Sequence, residues 1–335
     1  MKKQVIVGID VSKSWLDAHL VIEDNEFKEG LRIDNSVRGF KKLLKWVADH
    51  TQLDATAWLV CMEHTGTYSY KLNLFLQERG ISQSMVNPLA IKRSMGIIRG
   101  KNDKADARLI ALYTKRFAET LELYELPSEA LQKLKAQLVQ RERMVNMKRQ
   151  LILANDSLKD LPERLIHQIT KQNDQLKKQI SRSIIELDKA INETIRSESS
   201  LQSKAQKMES IPGVGIQIAA HVLVSTQGMT RFKSSRKFAC YCGVAPFEYS
   251  SGSSYKAKTK VHYLANKKLK SLFHLSALNA LQREGELKEY YERKLAEGKS
   301  PMSVINAIRF KIIDRIFSVV KRDEFFDPNY SKKAA

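Results

Sequence analysis

Between residues 129 and 210 the chain holds no glycine and a single proline, Pro162, and its apolar side chains recur at spacings of three and four. Leu131, Leu134, Leu138 and Val145 fall on one stripe, and Leu176, Ile180, Ile184, Leu187, Ile191 and Ile195 on another. Glycine and proline are what usually end a helix, so a stretch this long with one interruption is almost continuous helix. The spacing predicts two long helices separated near Pro162, most simply an antiparallel coiled-coil arm, with ordinary bundle helices as the alternative. Such an arm divides the chain into three parts: 1–127, an arm over 128–207, and 208–335.

The part before the arm alternates strand and helix signals. Val5 to Ile9 is an apolar run ending at Asp10, Trp15 to Ile22 reads as a second strand, and Asn25 to Ile33 as a strand returning from a turn. Ser36 is a good N-cap for a helix through Phe40, Leu43, Leu44 and Val47. Ala57 to Met62 is a buried strand ending at Glu63, a helix from Tyr68 to Glu78 is closed by Gly80, and Gln83 to Val86 is a further strand before another helix. Three strands followed by alternating helices and strands predict an α/β domain in which a meander feeds parallel units.

Beyond the arm, Ile211-Pro212-Gly213-Val214-Gly215 precedes an apolar helix from Ile216 to Val224. A G-x-G turn between helices frees backbone N–H groups at a helix N-terminus, which suits a phosphate, although a bare tight turn uses the same glycines. The remainder reads as mainly α, at about 261–282, 286–297 and 301–321, around a Ser/Gly/Pro loop at 246–254.

Charge points to the partner. Lys and Arg number 57 against 37 Asp and Glu, a formal charge of +20, yet the first 90 residues are neutral and +12 lies beyond residue 210. Within 231–270, ten basic side chains, Arg231, Lys233, Arg236, Lys237, Lys256, Lys258 and Lys260 among them, face one acid, Glu248, and are interleaved with seven Phe and Tyr residues. Basic and aromatic groups together favour nucleic acid over an anionic membrane, since no basic amphipathic helix with an exposed apolar face stands out. No run of about 18 apolar residues occurs and the N-terminus is polar, so a soluble cytoplasmic protein is expected. Cys61, Cys240 and Cys242 are too few for a disulfide scaffold or a four-ligand zinc site and are expected to be buried or incidental thiols.

Four acids stand apart. Asp10 ends the first strand, Glu63 ends the fourth, and Asp103 and Asp106 share a helix face by their i,i+3 spacing. Chemistry in α/β sheets gathers beyond the carboxyl ends of strands, where neighbouring carboxylates repel unless a cation sits between them. Oxygen ligands select Mg2+ or Mn2+, and a pair of such ions about 4 Å apart suits phosphodiester cleavage. Singly, Asp10 as a turn acid and Asp103 as a helix cap have structural readings; their order, Asp, Glu, Asp-x-x-Asp, favours the metal-binding one.

Val7-Gly8-Ile9-Asp10-Val11-Ser12-Lys13, Glu63-His64-Thr65-Gly66-Thr67-Tyr68, Val86-Asn87-Pro88 and Lys101-Asn102-Asp103-Lys104-Ala105-Asp106-Ala107-Arg108 resemble the successive motifs of the DEDD transposases of the insertion-sequence-110 family. Ser210-Ile211-Pro212-Gly213-Val214-Gly215, Arg231-Phe232, Phe238-Ala239, Gly243-Val244-Ala245-Pro246 and Ser251-Gly252-Ser253-Ser254 resemble that family's C-terminal domain, so the likeness covers essentially the whole chain. His64 stands where the family usually has a small residue, and Lys270 where it has arginine.

The resemblance implies an RNase H-like, RuvC-like N-terminal domain with Asp10, Glu63, Asp103 and Asp106 as a Mg2+-binding tetrad, a coiled-coil arm, and a C-terminal domain holding a serine nucleophile, in which the Gly213-Val214-Gly215 turn reads as a helix-hairpin-helix signal. It further implies that Ser251 is the nucleophile, with Ser250, Ser253 and Ser254 as fallbacks, activated by the metal site of the RuvC-like domain because no histidine stands near it in sequence. Implied partners are donor and target DNA, a bridge RNA that delegates sequence choice to base pairing, and further copies of the chain. Recombination joins at least two DNA sites, so a dimer or tetramer assembled through the arm is expected. The expected function is thus a DNA transposase or site-specific recombinase acting through a phosphoserine. The competing readings are a Mg2+-dependent, structure-selective nuclease and a non-catalytic nucleic-acid-binding scaffold.

Overall fold

In the computed structural model, which describes residues 4–23, 25–27, 29–63, 66–94, 103–245, 247–251, 255–261 and 263–328, strand β1 (Val5–Val11) is covered by helices on both faces. Ser253 and Ser254 lie outside the described residues, as do the side chains of Asp103, Ser250, Ser251, Lys256, Lys258 and Lys260. The chain divides into two compact units, residues 1–126 and 127–335.

In the first unit β1 pairs antiparallel with β2 (Trp15–Ile22), and β2 pairs antiparallel with β3 (Asn25–Glu26) and β4 (Leu31–Asp34). On its other side β1 runs parallel to β5 (Trp58–Glu63), and β5 parallel to β6 (Ser82–Val86). The order β3-β2-β1-β5-β6 is the expected meander feeding parallel strands, with the expected third strand present as two, β3 and β4, each paired to β2. Helices α1 (Val37–Asp49, capped by Ser36) and α2 (Tyr70–Gln77) cover one face, where Phe40, Leu43, Leu72 and Phe75 pack on Val5, Val7 and Ile9. Helices α3 (Pro88–Ser94) and α4 (Asp103–Phe117) belong to the opposite face.

The second unit begins with α5 (Glu129–Ser157) and α6 (Glu163–Arg196), broken at Pro162 as expected. Their polar contacts, Gln137 to Ala190, Arg141 to Asp188 and Asn155 to Asn173, step down α6 as they climb α5, so the helices are antiparallel. Leu131, Leu134, Leu138, Ile191 and Ile195 of the apolar stripe enter the core of the unit and Ile180 is buried farther along the arm, while Val145 and Leu176 are exposed. Helix α6 also ends earlier than the unbroken pattern predicts; α7 (Ser199–Glu209) is a separate helix. The core is completed by α8 (Ile216–Ser225), α9 (Ser235–Tyr241), α10 (Lys267–Leu281), α11 (Glu286–Ala296) and the long, largely buried α12 (Pro301–Arg322).

The expected loop at 246–254 is corrected. Residues 247–251 form β7 (Phe247–Ser251), paired antiparallel with β8 (Tyr255–Lys260) in a hairpin with an irregularity between Phe247 and Tyr249. Alternating Lys256, Lys258 and Lys260 follow the period of a strand, a pattern that the Ser- and Gly-rich composition masks.

Candidate active site

Side chains alternate along a strand, so β1 sends Val5, Val7 and Ile9 to the α1/α2 layer and Ile6, Gly8 and Asp10 to the α4 layer. In β5, Trp58, Val60 and Met62 likewise join the first layer, and Cys61 packs with Ile110 of α4 in the second. Ile9 pairs with Met62 in parallel register. One step further along each strand, Asp10 and Glu63 therefore stand side by side on the face that α4 covers, and both are partly buried.

Helix α4 lies against β1 so closely that a Cβ on Gly8 would sit 2.3 Å from the Ala111 nitrogen and 2.5 Å from the Ala107 oxygen. Ala111 also packs on Ile6, upstream of Gly8, so α4 descends antiparallel to β1 and its first turn is directed to the Asp10 end. That turn starts at Asp103 and holds the half-buried Asp106. Asp10, Glu63 and Asp106 thus lie toward one end of one face of the sheet, although these three are not close enough together to hold an ion.

Two polar residues on the same face escape sequence reasoning. Asp17 is directly opposite Asp10 in the β1–β2 register and is buried, with Arg32 of β4 donating from Nε and Nη2 at 2.9 and 2.7 Å. His19, opposite Gly8, is buried with Nε2 3.2 Å from Glu26 Oε1, and Arg108 of α4 donates to the same Glu26. The hydrogen bond from Arg108 holds the Glu26 carboxyl below the ordinary range, and burial keeps His19 below its own. Asp17 and His19 were visible in the sequence as the polar members of an otherwise apolar strand. Their period of two is the signal that would have found them.

The four predicted acids offer only carboxylate oxygens, a donor set that fits a hard divalent cation such as Mg2+ or Mn2+. Among the described residues no three His, Cys, Asp or Glu lie close enough to hold an ion. The three cysteines are free thiols, and burial pushes Cys61 up to about 11.

In the second unit Ser251 is the last residue of β7 and its backbone pairs with Tyr255, closing the hairpin. Arg231, Lys233, Arg236 and Lys237 are exposed around the start of α9, and Lys256, Lys258 and Lys260 occupy alternate positions of β8. The interleaved aromatics divide differently from expectation: Phe238 is fully buried, and Phe232 and Tyr241 pack on it with the Arg231 guanidinium 5.3 Å above each of their rings. These rings belong to the core because α9 is a helix whose apolar face must be covered.

The G-x-G turn joins α7 to α8. Gly213 adopts φ +86°, and a Cβ there would meet the Ser276 carbonyl oxygen at 2.4 Å, so close packing on α10 accounts for it. Gly215, the N-cap of α8, faces open space beside a cavity of about 400 Å³ that Glu209, Ser276, Asn279 and Arg283 also line.

Two family descriptions match the chain: a DEDD-type "Transposase" over residues 7–158, which spans the four acids, and "Transposase IS116/IS110/IS902 family" over 205–292, which spans Gly213 and Ser251. The chain is also similar to the pilin gene-inverting protein of Moraxella bovis, at 30% identity over 325 residues that cover 96% of this chain and 97% of that one. The chain belongs to the IS110 family of transposases. Another relative of this IS110 protein is the transposase of insertion element IS1111A from Coxiella burnetii, 26% identical over 214 residues and 58% of each chain. Among solved structures, Thermus thermophilus RuvC bound to a Holliday junction aligns with 36% of the chain at 15% identity and a TM-score of 0.28. As a member of its family the protein is a DNA transposase or recombinase, and no described helix is long and apolar enough to cross a membrane.

Proposed function

We propose that this IS110-family protein cuts and rejoins donor and target DNA through a serine-linked intermediate, with Asp10, Glu63, Asp103 and Asp106 holding Mg2+ or Mn2+. The observation that carries this reading is the parallel register that sets Asp10 beside Glu63 under the first turn of α4. Carboxylates gathered this way repel one another, and a divalent cation offsets that repulsion. When bound, the ion supplies Lewis-acid stabilisation of the attacking and leaving oxygens of a phosphodiester. Arg32, gripped by Asp17 next to Asp10, brings compensating positive charge to the same strand ends.

Ser251 is the nucleophile in this reading, placed at the end of β7 where the hairpin closes. Its Oγ forms a bond to phosphorus as the ester bond to the leaving strand breaks, and the hydroxyl proton ends on that strand's oxygen. A hydroxyl of the exchanged strand then attacks the phosphoserine and regenerates the serine. Exposed Arg231, Lys233, Arg236 and Lys237, the lysines of β8 and the open N-terminus of α8 at Gly215 would hold phosphates before and after. A bridge RNA supplies sequence choice, in keeping with a basic chain in which no base-reading helix is recognised. Two or four copies assemble through the arm, whose outer part exposes Val145, Leu153, Leu165, Ile169 and Leu176.

The gene with its flanking DNA, carried on a plasmid in cells, tests this. Joined recombinant products are expected from the parent protein and none from Asp10→Ala or Ser251→Ala. Broken but unjoined DNA, independent of Ser251, would instead establish the nuclease.

A further inference from the structure

Among the described residues two basic side chains of the second unit are buried, Lys207 and Arg309. Asp323 and Ser203 neutralise and hydrogen-bond Lys207. Arg309, on α12, has no such answer: Nη2 donates to His274 Nδ1 at 2.6 Å, Nη1 reaches Asn306 Oδ1 at 3.4 Å, and Nε has no partner. Burial moves its pKa downward, and among the described residues no acid acts in the other direction. An arginine does not shed its proton at neutral pH, so a buried one with no carboxylate beside it among the described residues calls for an anion from outside.

The surroundings provide a route. Met302 Sδ lies 3.6 Å from Nη2 and the Met302 residue is 59% exposed, so one flexible thioether covers the guanidinium. His274 on α10 is held below its ordinary pKa by burial and by Arg309. Being neutral and accepting at Nδ1, it carries its proton on Nε2, a further donor. Asn306, the residue that touches Arg309, donates from Nδ2 to the Val244 oxygen at 2.8 Å, three residues before β7. Lys270, one turn before His274, has its Cδ 3.7 Å from where a Cβ on Gly243 would be.

We propose that Arg309 and His274 form a binding site for a DNA backbone phosphate at the root of the hairpin carrying Ser251, uncovered when the Met302 side chain swings aside. The site rests on the reading of DNA as substrate, but it needs only binding and not the identity of the attacking serine.

The test uses the full chain with Ser251→Ala, so that no strand is cut, and a labelled random-sequence duplex followed by fluorescence anisotropy across a salt series. Adding Arg309→Met is expected to weaken binding roughly tenfold at low salt and to lower the log–log salt slope by about 0.9, the signature of one lost phosphate contact. Thermal stability without DNA should hold or rise, because an apolar side chain replaces a charge that has no acid beside it. Unchanged affinity and slope overturn the proposal. Should Arg309→Met fail to fold, Met302→Glu reads the same quantity by laying a carboxylate over the guanidinium, and unchanged binding there overturns it equally. If Glu248→Gln and Arg309→Met both destabilise, and together do no more than either alone, the counter-ion is internal and the site is refuted. A Ser251→Ala parent that binds no duplex at any salt overturns the DNA reading itself along with this site.

Discussion

Asp17 shows how an acidic site is kept foldable one residue at a time. It stands directly across from Asp10, is buried, and is held by the forked guanidinium of a half-exposed Arg32. Arg32→Gln should leave that carboxylate uncompensated and cost about 2 kcal/mol of stability, discounted for the solvent reaching Arg32; urea unfolding measures it. His221 carries a second expectation. Burial, with Lys268 and Arg141 nearby and only Glu142 opposing them, lowers its pKa to about 4. The unfolded chain therefore binds one more proton than the folded one between pH 4 and about 6.5, so stability is full above that window and falls as the pH drops through it, by roughly 3 kcal/mol in all. His221→Asn should flatten that part of the stability–pH curve. Asp10 and Glu63 were legible in the sequence because each follows an apolar run; Glu63 ends β5 as expected, whereas β1 continues one residue past Asp10 to Val11. Arg309 was not, because an arginine inside an amphipathic helix reads as surface until packing is known.

At the scale of elements, the approach of α4 to β1 decides whether the acids meet. Gly8 permits it, and the sequence shows only a glycine inside a strand, a pattern equally consistent with a bulge. Gly8→Ala should push α4 off the sheet, cost about 1–3 kcal/mol, and separate Asp103 and Asp106 from Asp10. Differential scanning calorimetry reads the first effect, and calorimetric titration with Mn2+ should show weakened binding for the second. The two arm helices were legible from their spacing alone, and so was their break at Pro162. Burial along them was not, since a stripe of leucines looks the same whether a partner covers it, as at Leu138, or leaves it exposed, as at Leu176. The β7–β8 hairpin was missed for a related reason: serine, glycine and lysine carry little strand propensity, and only cross-strand pairing makes the strands.

For the molecule as a whole, charge and chemistry are divided. The first 90 residues are neutral and contain Asp10 and Glu63, while +12 of the surplus lies beyond residue 210 in the unit that contains Ser251. Duplex binding should therefore fall steeply with salt, and Asp10→Ala should leave that slope unchanged. Nucleic acid that co-purifies with the protein should be one defined, structured RNA; random fragments would speak against a guide. Serine-linked strand exchange is tested head-on by recovering protein covalently attached to labelled DNA after denaturation in the presence of Mg2+. An adduct mapped to Ser251 is expected with the parent protein, and none with Ser251→Ala or Asp10→Ala. An adduct that persists undiminished in Ser251→Ala contradicts serine-linked exchange.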